Sequence, residues 1–368
     1  MTRVRILWVS AETPSRDGQG GQRRQFHQIN SLVARGHDVT VLVPTAGQSD
    51  ASIRTIVPVI RPRLGLFGRM SRHLVRRMRR TIGSAEWDAI VVSHHESFWL
   101  LPDHVSAPVL LDIHNVMSHW HHAAGRAALA EQARGMEVHA IRAADGVMTC
   151  SAVETRRLIA AHPEASDKAF TAPLGVDPAE WPDAGFPRDQ AFVALFGSWS
   201  WHPNRLGLEW YVRGVWPHVV DRVPEAVTLV AGSGVDDTSW WPSGIRFVGR
   251  VPYLYDFTSA ASVVAVPVKD GVGASVKFAE ALATGAAVVA TADGASAFEA
   301  PPAFVSDDER EWADWIVERL RRRSIEPAPS PARAIALTQM TWDAAAGPID
   351  DWLRSHARRR APVGPISS

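Results

Sequence analysis

The amino-acid sequence predicts an α/β protein composed of two doubly wound domains, each with a parallel sheet. The chain has 368 residues, which exceeds the usual size of a single domain. Short apolar runs alternate with helix-like segments in two successive series, which is the pattern of βαβ units. Between the two series, residues 173–187 hold four prolines and two glycines, a composition typical of a linker.

These observations predict how the chain is divided. The expected parts are a first domain over 1–175, a linker over 176–190, a second domain over 191–340, a helix over 341–358 that packs back on the first domain, and a flexible tail over 359–368. Ligands of open α/β sheets bind beyond the carboxyl ends of the strands. We therefore expect the two domains to face each other across a ligand-binding cleft.

Each series of elements follows from its apolar pattern. In the first, strands are predicted at 4–9, 39–43, 89–93, 109–112, 146–149 and 169–172, and helices at 23–35, 127–144 and 152–161. In the second, strands are predicted at 192–196, 227–230, 245–248, 262–266 and 286–290, and helices at 206–220, 275–284, 309–323 and 342–354. The short β-branched runs indicate strands that are covered on both faces.

A glycine loop and a helix follow the strand predicted at 262–266. Gly271 and Gly273 allow a tight turn and a close approach of the backbone to a ligand. The N-terminus of the helix favours an anion, because unpaired N–H groups and the positive dipole end lie there. Lys277 lies in the first turn, and Glu280 follows three residues later on the same face. This pattern suits a diphosphate and its ribose, although an ordinary crossover with a surface Lys–Glu pair has the same pattern.

An earlier glycine loop, at residues 11–21, also allows two interpretations. Its segment G-Q-G-G-Q-R resembles a dinucleotide-binding fingerprint, but Arg23 occupies the place of the third glycine. Gly20 and Gly21 therefore indicate either a loop that approaches a substrate or phosphate, or an ordinary glycine turn.

Composition limits the class of protein. An apolar content of 46% with a formal net charge of zero indicates a globular protein, for which we expect no nucleic-acid partner. The single cysteine, Cys150, excludes an internal disulfide framework and suits a reducing cytoplasm. The apolar run at 6–9 is too short for a signal peptide, and no run reaches the roughly 20 residues of a spanning helix. We therefore expect a cytoplasmic protein.

One strongly basic segment lies at residues 61–80. It contains eight arginines and no acidic residue, interleaved with apolar side chains. Such a segment either makes peripheral contact with an anionic surface, such as the inner face of a membrane, or packs its apolar stripe into its own domain.

Five sequence motifs occur in a recognisable order along the chain. They are R-I-L-W-V-S with G-G-Q-R-R-Q-F-H, L-L-D-I-H-N-V, F-G-S-W-S-W-H-P-N, F-V-G-R-V-P-Y-L, and G-A-S-V-K-F-A-E-A-L-A-T-G. In this order they resemble the retaining family-four glycosyltransferases, which have the GT-B fold of two facing Rossmann-like domains. The resemblance covers nearly the whole chain.

The resemblance implies roles for individual residues. Glu280 would hydrogen-bond the ribose of a nucleotide-sugar donor, and His114 would contact the transferred sugar near the acceptor. Asp112 would either orient His114 or cap the end of the strand. The residues implied at the diphosphate are Lys277, Arg205 and the backbone of Gly273, Ala274, Ser275 and Val276, with Asn204 in the matching P-N segment. Gly20 and Gly21 would approach the donor phosphate or the acceptor.

The sequence departs from the family pattern at one important position. The family usually has a second glutamate eight positions before the ribose-binding one, and the residue here is Val272. Asp270 is a candidate to contact the sugar in its place, as are backbone N–H groups. Arg205 is also the sole clear cation in a loop that usually carries two.

The implied activity is carbohydrate biosynthesis by transfer of a sugar, with retention, to the hydroxyl group of a polysaccharide, a lipid-linked or a natural-product acceptor. No metal or other cofactor is implied. The alternatives are another nucleotide-sugar enzyme, such as an epimerase, or a non-catalytic binding protein. A metal site among the histidines at 94, 95, 114, 119, 121 and 122 would lack a completing cysteine or carboxylate, and we expect none.

Overall fold

The architecture was analysed in a computed structural model. The residues that it describes are 3–43, 54–56, 72–83, 85–182, 191–271, 275–298, 302–322 and 330–357. The chain divides into two compact units, Met1–Ala172 together with Ala345–Ser368, and Pro173–Ala344.

The first unit is a seven-stranded parallel sheet. Its strands are β1 (Arg5–Ser10), β2 (Asp38–Leu42), β3 (Arg54–Ile56), β4 (Ala89–Ser93), β5 (Val109–Ile113), β6 (Gly146–Thr149) and β7 (Ala169–Thr171). They lie in the order β3-β2-β1-β4-β5-β6-β7, with Ile6 of β1 opposite Val39 on one side and Ala89 on the other. The order reverses between β1 and β4, so the loops after these strands diverge and leave room for a ligand.

Five helices of this unit precede the second unit in the chain. They are α1 (Gly20–Ala34), α2 (Arg72–Gly83), α3 (Met117–Ala123), α4 (Ala127–Ala143) and α5 (Ala152–Ala161). Apolar side chains of the strands point to both faces of the sheet, and each face has its own buried cluster. This arrangement explains why the strands consist of nearly unbroken apolar runs.

The second unit is a six-stranded parallel sheet. Its strands are β8 (Phe192–Ser198), β9 (Val227–Ser233), β10 (Ile245–Gly249), β11 (Val263–Val266), β12 (Ala287–Ala290) and β13 (Phe304–Val305), in the order β10-β9-β8-β11-β12-β13. Its helices are α6 (His202–Trp210), α7 (Trp216–Val220), α8 (Leu254–Ser259), α9 (Val276–Ala283), α10 (Ala292–Ala295), α11 (Glu309–Arg322) and α12 (Pro331–Gln339). A π-helical segment, Tyr211–Val215, joins α6 to α7.

The last helix, α13 (Trp342–His356), contributes to the core of the first unit. Ile349, Trp352 and Leu353 are buried in the same apolar cluster as Trp8 of β1. Gly146 makes this possible, because a Cβ atom there would lie 2.3 Å from Nε1 of Trp352. A C-terminal segment therefore covers part of the N-terminal sheet.

The predicted α/β class with two doubly wound sheets is confirmed, and several boundaries differ. Helix α1 begins at Gly20 instead of residue 23, because the side chain of Gln22 accepts a hydrogen bond from the N–H of Gln19 and caps an earlier first turn. Gly20 and Gly21 are therefore helical. The helix predicted over 206–220 begins at His202. The elements without a predicted counterpart are β3, β13, α3, α8, α10 and α12.

The segment expected to be a linker is partly packed. Val176 pairs with Thr341, and Trp181 is buried in the core of the second unit with Tyr255. Residues 183–190 and the tail at 359–368 lie outside the described residues.

Helix α6 lies very close to the loop after β11. A Cβ atom on Gly207 would lie only 1.2 Å from the carbonyl oxygen of Pro267 and 3.2 Å from Cα of Val268. Both neighbours are backbone atoms, so a side chain cannot be accommodated by a rotamer change. The absence of a side chain at Gly207 thus sets the distance between α6 and β11.

We expect Gly207→Ala to lower the free energy of unfolding by about 3 kcal/mol or more, because helix and loop must separate. A thermal unfolding scan should then show a Tm lower by roughly 6 °C or more. Gly135→Ala is the matched control: Gly135 is exposed within α4 with open space around it, and alanine there should stabilise by up to about 1 kcal/mol. Equal effects of the two substitutions would contradict this account.

Candidate functional site

A buried polar network lies at the carboxyl ends of β4 and β5. Asp112 is fully buried on β5, and its Oδ1 accepts a hydrogen bond at 3.0 Å from Nη2 of Arg24, a residue of α1. Nη1 of Arg24 donates to the carbonyl oxygen of Ala172 at 2.7 Å. Nε2 of His114 lies 2.8 Å from Oδ2 of Asp112 and 3.1 Å from Oγ of Ser93.

The charges in this network determine where the proton of His114 lies. Burial opposes ionisation of Asp112, but Arg24 and His114 outweigh it and hold the pKa of the carboxyl well below its ordinary value. An ionised carboxylate only accepts hydrogen bonds, so Nε2 of His114 carries a proton. Asp112 thereby orients the imidazole ring, as the sequence predicts.

Gly20 and Gly21, at the start of α1, differ in their steric roles. A Cβ atom on Gly21 would lie 2.9 Å from Nδ1 of His114 and 3.5 Å from Nε2 of His94. A Cβ atom on Gly20 would meet nothing within 4 Å among the described residues. Gly21 therefore lets the start of α1 approach the histidine, whereas Gly20 has no such steric role.

Three further buried groups hold the loop that carries His114. Sγ of Cys150 donates to the carbonyl oxygen of His114 at 3.0 Å. Oε1 of Glu154 accepts from the N–H of Val116 at 2.7 Å, and Oε1 of Glu137 accepts from the N–H of Ser118 at 3.1 Å. These carboxylates serve the start of α3 as capping groups supplied by other helices.

Sequence reasoning did not identify this support. Oε2 of Glu137 lies 2.8 Å from Nε2 of His162, and both side chains are fully buried. Cys150 is structural, because burial raises the pKa of its thiol to about 12 and keeps it protonated. The signal available in the sequence was that Glu137 and Glu154 fall within the helices predicted at 127–144 and 152–161.

His94 and Glu12 also lie beside His114. The ring centroids of His94 and His114 are 3.8 Å apart, and Nε2 of His94 lies 3.7 Å from Oε2 of Glu12. His94 has a φ of +64°, which is uncommon for a residue other than glycine. Glu12 was not among the predicted site residues, and His94 was considered there only as a metal ligand.

A second group of polar residues surrounds the start of α9 in the second unit. Nζ of Lys277 donates a hydrogen bond to Oδ1 of Asn204, whose Nδ2 donates to the carbonyl oxygen of Ser198 at 2.8 Å. A Cβ atom on Gly197 would lie 3.4 Å from Nζ of Lys277, so this glycine also leaves room for the lysine. The structure brings together Lys277 and Asn204, two of the residues listed for the donor site from the sequence.

The electrostatics of Lys277 are unusual. Burial lowers the pKa of its ammonium to about 8, and the nearby carboxylate of Glu280 opposes this shift. Glu280 is 3% exposed and lies on α9 one turn after Lys277. The first N–H groups of α9 have no acceptor within the helix, and Ser275 occupies the N-cap position before Val276. Together, the ammonium of Lys277 and the N-terminus of α9 form a positively charged site that a bound anion would stabilise.

Two further predicted site residues lie at the surface of the second unit. Arg205 contacts Nδ1 of His202 and the carboxylate of Glu209, and its side chain is 53% exposed. Asp270 is exposed, with a φ of +53°. Val272, Gly273 and Ala274 lie outside the described residues.

The part of the chain that the structure describes lacks two features. There, no helix is both long and apolar enough to span a bilayer. Within the same residues, no three side chains of histidine, cysteine, aspartate or glutamate come together as a metal-binding group.

Comparison with known families agrees with both units. The model for Glycosyltransferase Family 4 matches residues 18–180, and the model for Glycosyl transferases group 1 matches residues 191–322. Together these two glycosyltransferase models match most of the chain, which therefore belongs to the glycosyltransferases. The predicted resemblance is thereby confirmed.

Individual relatives are distant. The glycogen synthase of Mycobacterium tuberculosis is 26% identical over 210 residues, which cover 49% of this chain and 50% of that protein. The chain thus spans about half the length of the curated relatives it matches.

Solved structures share the fold over nearly the whole chain. Sucrose-phosphate synthase from Thermosynechococcus elongatus has a TM-score of 0.74 at 17% identity, with 96% of this chain and 99% of that one covered. Anabaena Alr3699/HepE in complex with UDP-glucose has a TM-score of 0.68 at 15% identity, with 96% and 100% covered. These likenesses establish the GT-B fold.

We expect Asp112→Asn to destabilise the protein by about 3–5 kcal/mol, because it leaves the buried charge of Arg24 without its carboxylate. Urea unfolding of the full chain measures this loss. The double variant Arg24→Met/Asp112→Asn removes both charges and should recover part of it. A double variant less stable than Asp112→Asn would show that the ion pair does not determine the effect.

Proposed function

We propose that the protein transfers a sugar from a nucleoside diphosphate sugar to a hydroxyl acceptor with retention of configuration. The observation that carries this proposal is the pairing of Lys277 with the N-terminus of α9, one turn before the buried Glu280. A diphosphate suits the cation and helix terminus, and a ribose diol suits the carboxylate. Membership of the glycosyltransferase family supports this assignment.

We propose UDP-glucose or a similar UDP-sugar as the donor. The structural neighbour Alr3699/HepE forms complexes with UDP and with UDP-glucose. In the proposed complex, Lys277 meets the diphosphate, Asn204 orients Lys277, and Glu280 accepts hydrogen bonds from the ribose. The N–H groups at the start of α9 face the phosphate oxygens.

The proposed mechanism follows from where negative charge develops as the donor is cleaved. As the bond between the anomeric carbon and the phosphate oxygen breaks, negative charge grows on the β-phosphate. Lys277 and the helix N-terminus stabilise that charge, and we therefore propose that no metal is required. The acceptor hydroxyl attacks from the face of the leaving group, and a phosphate oxygen takes its proton. His114, with its ring fixed by Asp112, contacts the transferred sugar.

We expect one nucleoside diphosphate, among UDP, GDP, dTDP and ADP, to raise the Tm of the full chain at millimolar concentration. A ligand at 100 times its Kd adds about 2.7 kcal/mol, or several degrees. Glu280→Ala should abolish the shift because the ribose contact is lost, whereas His114→Ala should keep it and lower transfer from the matching nucleotide sugar.

The outcomes separate the rival functions. A transfer product whose anomeric configuration, read by NMR coupling constants, matches the donor supports retention. A product in which the sugar remains on the nucleotide would indicate an epimerase, and nucleotide binding with no turnover across many acceptors would indicate a binding protein. A response to NAD alone, or to no nucleotide, would refute the donor site.

We expect the affinity for UDP to fall as the pH rises above about 8. A bound diphosphate favours the protonated lysine, so deprotonation of Lys277 in the unbound protein weakens binding by up to about tenfold per pH unit. Isothermal titration calorimetry between pH 7.5 and 8.8 measures this, because over that range the phosphates of UDP, which titrate near pH 6, are already ionised and its uracil N–H is still largely protonated. Lys277→Met should bind more weakly at pH 7.5, with a flat profile. A profile unchanged by that substitution would assign the titration to another group.

We also propose peripheral contact with an anionic membrane surface through the arginines of the segment 61–80. In its described part, Met78 is buried in the core of the first unit, as is Ile82 two residues after the segment, while Arg76 and Arg80 are exposed. Met78 and Ile82 of α2 therefore pack within their own unit. The proposed contact is electrostatic, without insertion.

We expect the protein to float with vesicles that contain about one-third anionic lipid at 50 mM salt, and to be released as added salt screens the charges. Arg76→Glu/Arg80→Glu should weaken flotation. Arg310→Glu/Arg321→Glu makes the same charge change on exposed arginines of α11 and should leave it intact. Equal flotation with neutral lipid would contradict the proposal.

A further inference from the structure

A carboxylate and an imidazole that the donor chemistry does not use lie next to His114. Glu12 follows β1, and His94 follows β4, so both stand at the point where the strand order of the first sheet reverses. Nε2 of His94 is 3.7 Å from Oε2 of Glu12, which is too long for a direct hydrogen bond. Both side chains are partly accessible, with 22% and 32% of their surfaces exposed.

Backbone hydrogen bonds fix both residues in place. The N–H of His94 donates to the carbonyl oxygen of Asp112 at 2.9 Å, and its own carbonyl oxygen accepts from Ser97 at 3.0 Å. Oγ of Ser97 accepts from the N–H of Ala11 at 2.8 Å, and the N–H of Glu12 donates to Oγ of Ser10 at 3.1 Å. The loops after β1 and β4 are thus tied together through Ser97, which keeps Glu12 and His94 side by side.

One ring nitrogen of His94 makes no hydrogen bond to the part of the chain that the structure describes. Its Nε2 is buried and has no hydrogen-bond partner among the residues that the structure describes. Burial, the neighbouring His114 and the charge of Arg24 lower the pKa of His94 well below its ordinary value, with Asp112 opposing, so the ring is neutral. Burial and Glu96 raise the pKa of Glu12, with His114 opposing. A neutral imidazole and a carboxylate of raised pKa suit a ligand group that is uncharged and can both donate and accept hydrogen bonds.

We propose that Glu12 and His94 bind the hydroxyl groups of a neutral polyhydroxy acceptor beside His114. A hydroxyl group donates to the carboxylate of Glu12 and bonds Nε2 of His94, which satisfies the unused nitrogen. This inference rests on the proposed glycosyl transfer for the statement that the ligand is the acceptor. The binding site itself rests on the geometry alone.

The charges around the pair disfavour an anionic ligand. Glu96 adds a carboxylate close to Glu12, and Asp112 lies behind the two histidines. Arg24 is 1% exposed, and its guanidinium is held by Asp112 and by the carbonyl oxygen of Ala172. A phosphate placed against Glu12 would therefore meet like charge, whereas a sugar or polyol hydroxyl would not.

The test is direct binding to the full chain, saturated with UDP, in which histidine rings are labelled with ¹³C at Cε1. The resonances of His94 and His114 are assigned with His94→Asn and His114→Asn. Glucose and glucose 6-phosphate, and glycerol and glycerol 3-phosphate, serve as matched neutral and anionic probes. We expect the neutral probes to shift the His94 resonance saturably, with the phosphates at least tenfold weaker. Glu12→Gln should weaken binding of the neutral probes at least tenfold and reduce the discrimination against the phosphates, because a charged hydrogen bond is lost.

Glu96→Gln is the matched control, because it removes the same charge nearby from a side chain that faces His95. It should change the affinity for glucose less than threefold. Equal or tighter binding of the phosphates, unchanged glucose binding in Glu12→Gln, or no shift by any probe at 100 mM would overturn the proposal. Neutral probes that shift His94 while no nucleotide sugar supports transfer would refute the glycosyltransferase activity and leave the polyol site standing.

Discussion

The ion pair between Arg24 and Asp112 is the interaction on which the site of the first unit depends. Both side chains are removed from water, so each requires the other, and neither can move far without leaving a buried charge unpaired. The pair ties α1 to β5 and fixes the proton of His114 on Nε2. It also draws the start of α1 so close to the histidines that Gly21 has no room for a side chain.

In the second unit, close packing of backbone segments positions the polar side chains of the site. Gly207 lets α6 touch the loop after β11, and this contact carries Asn204 to Lys277. Gly232 plays a similar part, because a Cβ atom there would lie 1.8 Å from the carbonyl oxygen of Gly197. Close packing thus positions Lys277. An anion would stabilise its partly desolvated ammonium group.

Much of the fold could be predicted from the sequence, because buried parallel strands consist of short apolar runs that glycines and helices separate. The strands β6 and β12 and the nearness of His114 to Asp112 follow from such local patterns. The two-residue strand β13 could not be predicted, because its pairing with β12 rather than its own sequence stabilises it. Helix α10 is a single turn capped by Thr291, and it is too short to show a helical period. Glu137, Glu154 and Arg24 were missed for a related reason: their partners lie between 19 and 148 residues away in the chain. The contacts of Arg205 with His202 and Glu209 were, by contrast, open to prediction, because these residues are three and four positions apart on one helix.

The return of α13 to the first sheet has a consequence for the order in which the protein matures on the ribosome. Trp8 and its neighbours are synthesised before the second unit, but their apolar face is completed by Ile349, Trp352 and Leu353, which are synthesised after it. The second unit, Pro173–Ala344, is contiguous in sequence and has all of its strands before that point. A nascent chain therefore carries an uncovered apolar patch on its first domain throughout the synthesis of its second, the kind of surface that chaperones protect.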